Sequence, residues 1–241
     1  MAVVIDTVYQ KVLALANKEQ RGYITPQEFN LLADQAQNLI FEQYFYDLNQ
    51  FNRAGGNGME YADMMDILEE KVSVFKKENI DMSAVSGSTA TLPTNVYRLG
   101  TVFYNNGTNS IIVEKVSNQE IQRMNQATLY KPTEARPVYT RTSDTKIVIY
   151  PSTATPAYSA SNLNCNNIVK PLKPNWTYTI VNEQALYNGS AAGKQDFQLH
   201  QSDEEDLVYK ILELSGIIMN KPGLVQLADK EESQGVQNEK M

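Results

Sequence analysis

Apolar positions along this chain change period twice. Near the N-terminus Ile5, Val8, Val12 and Leu15 recur at helical spacing and predict a helix over 3–18. After a loop at 20–24, Thr25-Pro26-Gln27-Glu28 reads as a helix start. Thr25 caps, Pro26 suits the first turn because its missing N–H costs nothing there, and Glu28 completes a capping box. That helix is expected to run to residue 52. Its second half is apolar on nearly every side, through Leu39, Ile40, Phe41, Tyr44, Phe45, Tyr46, Leu48 and Phe51. A surface helix needs only one apolar stripe, so this one must be covered on two or more sides, by other helices or by another subunit. Phe41, Phe45, Tyr46 and Phe51 are the candidate helix-packing or interface residues.

Ala54-Gly55-Gly56-Asn57-Gly58 breaks the chain. A third helix is expected over 60–78, with Tyr61, Met64 or Met65, Leu68, Val72 and Phe75 on one face. From Ser83 the texture turns to Ser, Thr, Asn, Gly and Pro, and short strands are expected at 96–104, 110–116, 137–142, 146–150 and 176–181. Asn105-Asn106-Gly107 and Ser143-Asp144-Thr145 read as hairpin turns. Ser117 and Glu120 form another capping box and predict a short helix. The stretch 152–167 is poor in apolar residues and reads as a long exposed loop or arm. Helical spacing returns at the C-terminus. Ser202-Asp203-Glu204-Glu205 opens a helix to 218 whose apolar face holds Leu207, Val208, Ile211, Leu212, Leu214 and Ile218. Pro222 can open a final short helix carrying Leu224, Val225 and Leu227, and from Asp229 the chain is polar and expected to fray unless a partner orders it.

The expected fold class is therefore α+β: a helical-bundle body with an inserted β-rich domain of short antiparallel strands. The expected division is 1–82 as an N-terminal helical body, 83–200 as the β-rich insertion, and 201–241 as the C-terminal helix completing the body plus a docking tail.

Charge follows the same division. Residues 1–82 carry 7 Lys and Arg against 13 Asp and Glu, residues 83–200 carry 10 against 6, and residues 201–241 carry 4 against 9. A two-signed chain suits a part that binds copies of itself or its neighbours through opposite faces. A net charge of −7 argues against a free nucleic-acid binder. Residues 1–20 lack a basic start followed by an apolar run, so no signal peptide is expected, and no stretch reaches the length of a membrane span. A single cysteine, Cys165, excludes an intrachain disulfide.

Reactive side chains are scarce. The only histidine, His200, stands beside a helix start, and one His with one distant Cys does not make a zinc site. No phosphate loop, dinucleotide glycine motif or Gly-x-Ser-x-Gly elbow occurs. Residues 17–28 echo the spacing of a calcium loop, with Gly22, Ile24 and Glu28 in register. Arg21, however, brings a cation to the fifth position, where an oxygen ligand belongs. The competing reading is a helix–turn–helix corner with Glu28 in the capping box. No enzyme activity, metal or cofactor is expected.

Longer motifs carry a resemblance. The segments Thr7-Val8-Tyr9-Gln10-Lys11-Val12, Gly22 to Asn30 and Phe41-Glu42-Gln43-Tyr44-Phe45-Tyr46 are similar to structural proteins of crAss-like and related marine short-tailed bacteriophages. So are Leu92-Pro93 before a strand, and the strand Lys146–Tyr150 closed by Pro151. The group is that of head-to-tail connector (adaptor) proteins, and the C-terminal helix followed by Lys221-Pro222 also resembles it. The resemblance implies packed helices with an inserted β-rich region, in a ring of the chain's own copies, typically twelvefold, under the portal protein. It implies neighbouring tail ring proteins as partners, genomic DNA passing without sequence recognition, no membrane, and residence in the virion after assembly in the host cytoplasm. On this reading Pro222, Leu224, Val225 and Leu227 form a docking arm. Two alternatives stay open: another tail ring or stopper, and a carbohydrate- or host-binding module stacking sugars on Tyr side chains and Trp176.

Overall fold

The computed structural model describes residues 3–18, 24–54, 59–154 and 157–218, with side chains described over 3–16, 24–50, 65–154 and 157–216. The fold mixes α and β. Among the described residues are five α-helices, an eight-stranded sheet and a two-stranded sheet. The chain divides into two compact units, one of Met1–Val74 with Pro171–Met241 and one of Phe75–Lys170. Residues 171–200, expected with the β-rich insertion, thus cluster with the helices. Residues 75–82, expected with the helices, belong to the sheet unit.

The helix-rich unit holds α1 (Ile5–Lys18), α2 (Pro26–Ala54), α3 (Met59–Ser73) and α5 (Glu204–Ile218). The box at the start of α2 forms: Glu28 N–H donates to Thr25 Oγ1 at 3.3 Å, and Thr25 N–H donates to Glu28 Oε2 at 3.0 Å. Along α2 the buried apolar side chains include Phe29, Leu32, Ala33, Ala36, Ile40, Phe41 and Tyr44, a single stripe at spacings of three and four that also holds the buried Gln37. Among the described residues its second half is not fully enclosed. Leu39 is 39 % exposed and Tyr46 66 % exposed. Helix α5 buries Leu207, Val208, Ile211 and Leu212 and packs on α1 and α2.

The third helix ends earlier than its apolar spacing predicts. It stops at Ser73, and Lys76–Asp81 is instead strand β1, with every side chain exposed. The other strands of this unit are β2 (Ala84–Ser86), β3 (Thr89–Thr91), β4 (Val96–Asn105), β5 (Ser110–Lys115), β6 (Val138–Arg141), β7 (Lys146–Tyr150) and β8 (Leu163–Val169). Their order is β1-β8-β4-β5-β6-β7-β3-β2. The expected exposed loop at 152–167 thus contains part of an interior strand, because Leu163, Cys165 and Asn167 alternate inward while Asn164 and Asn166 face out. Gly100 lies where the β4–β8 register slips, and a Cβ there would stand 3.0 Å from the Asn166 carbonyl oxygen.

The sheet is not wholly antiparallel: β5 and β6 run parallel. A parallel pair needs a crossover, and α4 (Asn118–Gln126) supplies it, capped by Ser117 Oγ, which accepts from Glu120 N–H. Ile121 of α4 packs with Val116 and Val138 on one sheet face. The other face curls round a single core of Val102, Tyr104, Val113, Tyr139, Ile147, Ile149, Leu163 and Cys165, drawn from both halves of the sheet.

Residues 178–187 form a separate hairpin in the helix-rich unit. Strands β9 (Tyr178–Val181) and β10 (Gln184–Tyr187) pair antiparallel across Asn182 and Glu183. Both turn residues have positive φ, 50° and 63°, as a tight two-residue hairpin turn requires.

Candidate functional site

One cluster of titratable groups has the look of chemistry. At the start of α5, His200 Nδ1 lies 2.8 Å from Ser202 Oγ, and His200 Nε2 lies 3.9 Å from Glu70 Oε1. The residue types of a hydrolytic triad are therefore within reach of one another. Local geometry explains them otherwise. Nδ1 also accepts the Ser202 backbone N–H at 3.3 Å, so the imidazole caps the short 3₁₀ turn Gln201–Asp203 that leads into α5. Glu70 is 71 % exposed at its side chain, and an ion pair so exposed is worth about 1 kcal/mol or less.

Beneath the cap lies a buried ionic node. Asp203 is 2 % exposed and accepts from Tyr44 Oη at 2.6 Å, and its Oδ1 stands 2.9 Å from Lys71 Nζ. The three groups come from α2, α3 and the turn before α5. A buried charge is tolerable only when paired and hydrogen-bonded, and each partner here meets that demand, so the node fixes how three helices meet.

Trp176 sits in a second polar-aromatic knot. It is 2 % exposed, with Nε1–H donating to Asp6 Oδ1 at 2.9 Å and its backbone N–H donating to Asn30 Oδ1 at 2.8 Å. Its ring stacks on Tyr178 and Tyr187, each at 5.7 Å, and Tyr9 closes in at 4.4 Å. A ring buried in this way offers no face to a sugar, so Trp176 is not the stacking platform that the binding-module reading requires. Gln37 adds a further clasp, donating to Leu172 O and accepting from Gln198 N–H, each at 2.9 Å.

Cys165 is fully buried in the sheet core, and burial pushes its thiol up to about 11. A thiol so held is inert as a nucleophile. In the calcium-like segment, both contacts of Glu28 Oε2 go to Thr25, which holds the carboxyl below its usual range, while residues 19–23 lie outside the described residues. Among the described residues, no group of three or more His, Cys, Asp and Glu could hold a metal. No described helix is long and apolar enough to cross a membrane.

Surfaces remain. Of the candidate interface residues, Phe41 is 1 % exposed and meets Phe45 edge-on at 5.0 Å, so it belongs to the interior. Tyr46 is the outward one, and the side chain of Phe51 lies outside the described residues, as do Pro222, Leu224, Val225 and Leu227. Three other apolar surfaces were missed in the sequence. The first is the hairpin, where Ile180, Val181 and Leu186 are 72 %, 48 % and 49 % exposed. The second is the loop between α4 and β6, where Leu129 and Tyr130 are 89 % and 70 % exposed. Two large apolar neighbours in an otherwise polar stretch were the available signal. The third is a recess of about 300 Å³ between α1 and α5, lined by Lys11, Ala14, Leu15, Glu205, Val208 and Tyr209.

Comparison with known proteins adds no relative: no family model matches the chain, and no curated protein matches it.

Proposed function

We propose that this chain is a virion structural protein, a ring subunit of the head-to-tail connector of a short-tailed bacteriophage. It docks beneath the portal and carries the DNA channel into the tail. The observation that carries the reading is the division of charge between two separately compact units. The helix-rich unit has 11 Lys and Arg against 22 Asp and Glu, a balance of −11, and the sheet unit has 10 against 6, a balance of +4. Opposite signs on two parts of one chain favour contacts between unlike surfaces of successive copies, and such contacts close into rings when the rotation permits. The outward Leu31, Leu39 and Tyr46 of α2 add support, since they give that helix an apolar side that is exposed among the described residues.

On this reading the helices form the body of each subunit as a bundle, the sheet unit reaches a neighbouring ring, and residues 222–241 dock on the portal or an adjacent subunit. The ring is twelvefold. Acidic side chains along the channel repel DNA phosphates and let the genome slide without sequence recognition. The protein works by repeated surface contact and without catalysis.

The test is cryo-electron microscopy of the intact particle, fitting this chain by side-chain density. A ring directly under the portal is the expected result. A ring farther down the tail would keep the structural class and replace the position with that of a tail ring or stopper. Absence of the chain from the particle would overturn the reading.

A further inference from the structure

We propose that successive copies join by a knob-and-recess contact: the Leu129–Tyr130 tip of one copy seats in the α1–α5 recess of the next. The inference rests on the ring reading above and names the surfaces that would build it.

The knob is a held feature. Residue 132 is buried just behind it, and Thr133 and Arg136 close the loop with a backbone bond from Arg136 N–H to Thr133 O at 3.0 Å. Leu129 and Tyr130 are thus presented to solvent from an anchored loop, where exposing two large apolar side chains carries a cost that a partner removes. Within the same loop Lys131 and Arg136 are exposed against Glu134.

The recess suits the knob in size and sign. Ala14, Leu15, Val208 and Tyr209 supply an apolar lining, and about 300 Å³ is the space of roughly ten waters at ~30 Å³ each, room for one aromatic and one aliphatic side chain. Of its lining residues Glu205 is acidic and Lys11 basic, and Lys11 is already paired with Glu204 of α5 at 2.8 Å, so these three groups carry a net −1. A net-basic knob therefore meets a net-acidic edge at Glu205 beside an apolar centre. That is the anatomy of a specific interface, with the desolvated anchor inside and the charges at the edge. Each copy carries one knob on its sheet unit and one recess on its helix-rich unit, so the contact is between unlike surfaces and propagates from copy to copy.

The buried Cys165 makes the test clean, because introduced cysteines report alone. The full chain carrying Leu129→Cys and Ala14→Cys is mildly oxidised at high concentration. The expected result is a ladder of covalent multimers, and mixing the two single variants is expected to give only a heterodimer. Tyr130→Asp on the double background is expected to erase the ladder. Lys131→Glu is expected to weaken it about tenfold, with recovery on adding Glu205→Lys. Oligomers trapped by an amine cross-linker without the disulfide ladder would overturn the contact and leave the ring reading standing. A disulfide closing within one chain would overturn it, as would preferential joining of residue 14 to a cysteine placed at Leu224, because the recess would then have another occupant. No cross-link of either kind at millimolar concentration would also overturn the contact, and the particle map decides the ring reading independently.

Discussion

In the helix-rich unit a carboxylate, Asp203, is buried to 2 % exposure and held by a lysine and a tyrosine; in the sheet unit the matching depth is occupied by Ile147, Ile149, Leu163 and the thiol of Cys165. The helices of the first unit are aligned by polar side chains that reach across: Tyr44 and Lys71 to Asp203, Gln37 to the chain at 172 and 198, Asn30 and Asp6 to Trp176. The strands of the second are aligned by their own backbone ladder, which leaves side chains free to be apolar. Helices satisfy their hydrogen bonds internally and can slide or rotate against one another, so directional contacts are what fix their register. A sheet needs no such device, because a one-residue slip would turn its whole core face outward.

The largest expected effect breaks the first half of this contrast. Lys71→Met leaves the Asp203 carboxylate buried without its cation, and stability is expected to fall by about 3–5 kcal/mol. Urea unfolding followed by fluorescence of Trp176, the only tryptophan, reads the helix-rich unit directly. Adding Asp203→Asn to Lys71→Met removes the uncompensated charge and is expected to restore part of the loss. A loss below about 1 kcal/mol for Lys71→Met would mean the node does not hold the helices.

The second half is tested by Ile147→Ala. The side chain is fully buried in the core shared by both halves of the sheet, and the cavity is expected to cost about 2–5 kcal/mol. Reactivity of the Cys165 thiol toward a chromogenic disulfide is the readout, since the thiol is inaccessible until the sheet opens. The variant is expected to expose it at lower urea, with a smaller shift in the Trp176 transition. Equal shifts in both probes would show that the two units unfold as one.

This contrast also explains what was readable in advance. Helices with stripes and caps were legible: 3–18 appears as Ile5–Lys18, 25–52 as Pro26–Ala54, and 203–218 as Glu204–Ile218. The strands at 96–104 and 146–150 announced themselves through β-branched and aromatic residues, and the start of α4 through Ser117 and Glu120. Strands β1 and β8 did not. Lys76-Lys77-Glu78-Asn79 has no apolar alternation because β1 is an edge strand, where charge blocks further pairing. In β8 the alternation is present as Leu163, Cys165 and Asn167, but asparagine is a poor strand former and hides it. The parallel β5–β6 pairing depends on where a crossover returns, which no local pattern records. Of the surfaces, Tyr46 was legible as one of too many apolar residues on one helix, whereas the α1–α5 recess exists only once two distant segments meet.

Alkaline pH sharpens the contrast further. Burial raises Cys165 from 9.0 to about 11, and burial, with Tyr104 and Glu134 nearby, raises Tyr158 from 10.0 to about 12. Both groups are neutral when protonated, so between these values the folded sheet unit binds protons that the unfolded chain has released. Stability therefore falls as pH rises. The contribution is complete below about pH 9 and is lost progressively as pH climbs through 11 to 12. Urea midpoints measured from pH 8 upward are expected to decline along this course, and Cys165→Ala is expected to flatten the earlier part of the decline. An unchanged slope in that variant would assign the loss to Tyr158 or to groups outside the sheet core.

The smallest expected effect lies where the sheet unit borrows the helical device. Ser117 Oγ accepts from Glu120 N–H at 3.2 Å and so caps α4, the crossover that makes the parallel β5–β6 pairing possible. Ser117→Ala is expected to cost about 1 kcal/mol. Ile121 remains packed against Val116 and Val138, so the helix survives and the loss should appear as fraying of its first turn. Amide hydrogen exchange at Glu120 and Ile121 is the sensitive measurement. Protection is expected to fall there by about fivefold to tenfold while the β4–β8 amides keep theirs. Loss of protection across β5 and β6 as well would show that the cap, and not the apolar contact of Ile121, secures the crossover, and that the sheet unit depends on a directional side-chain bond as the helix-rich unit does.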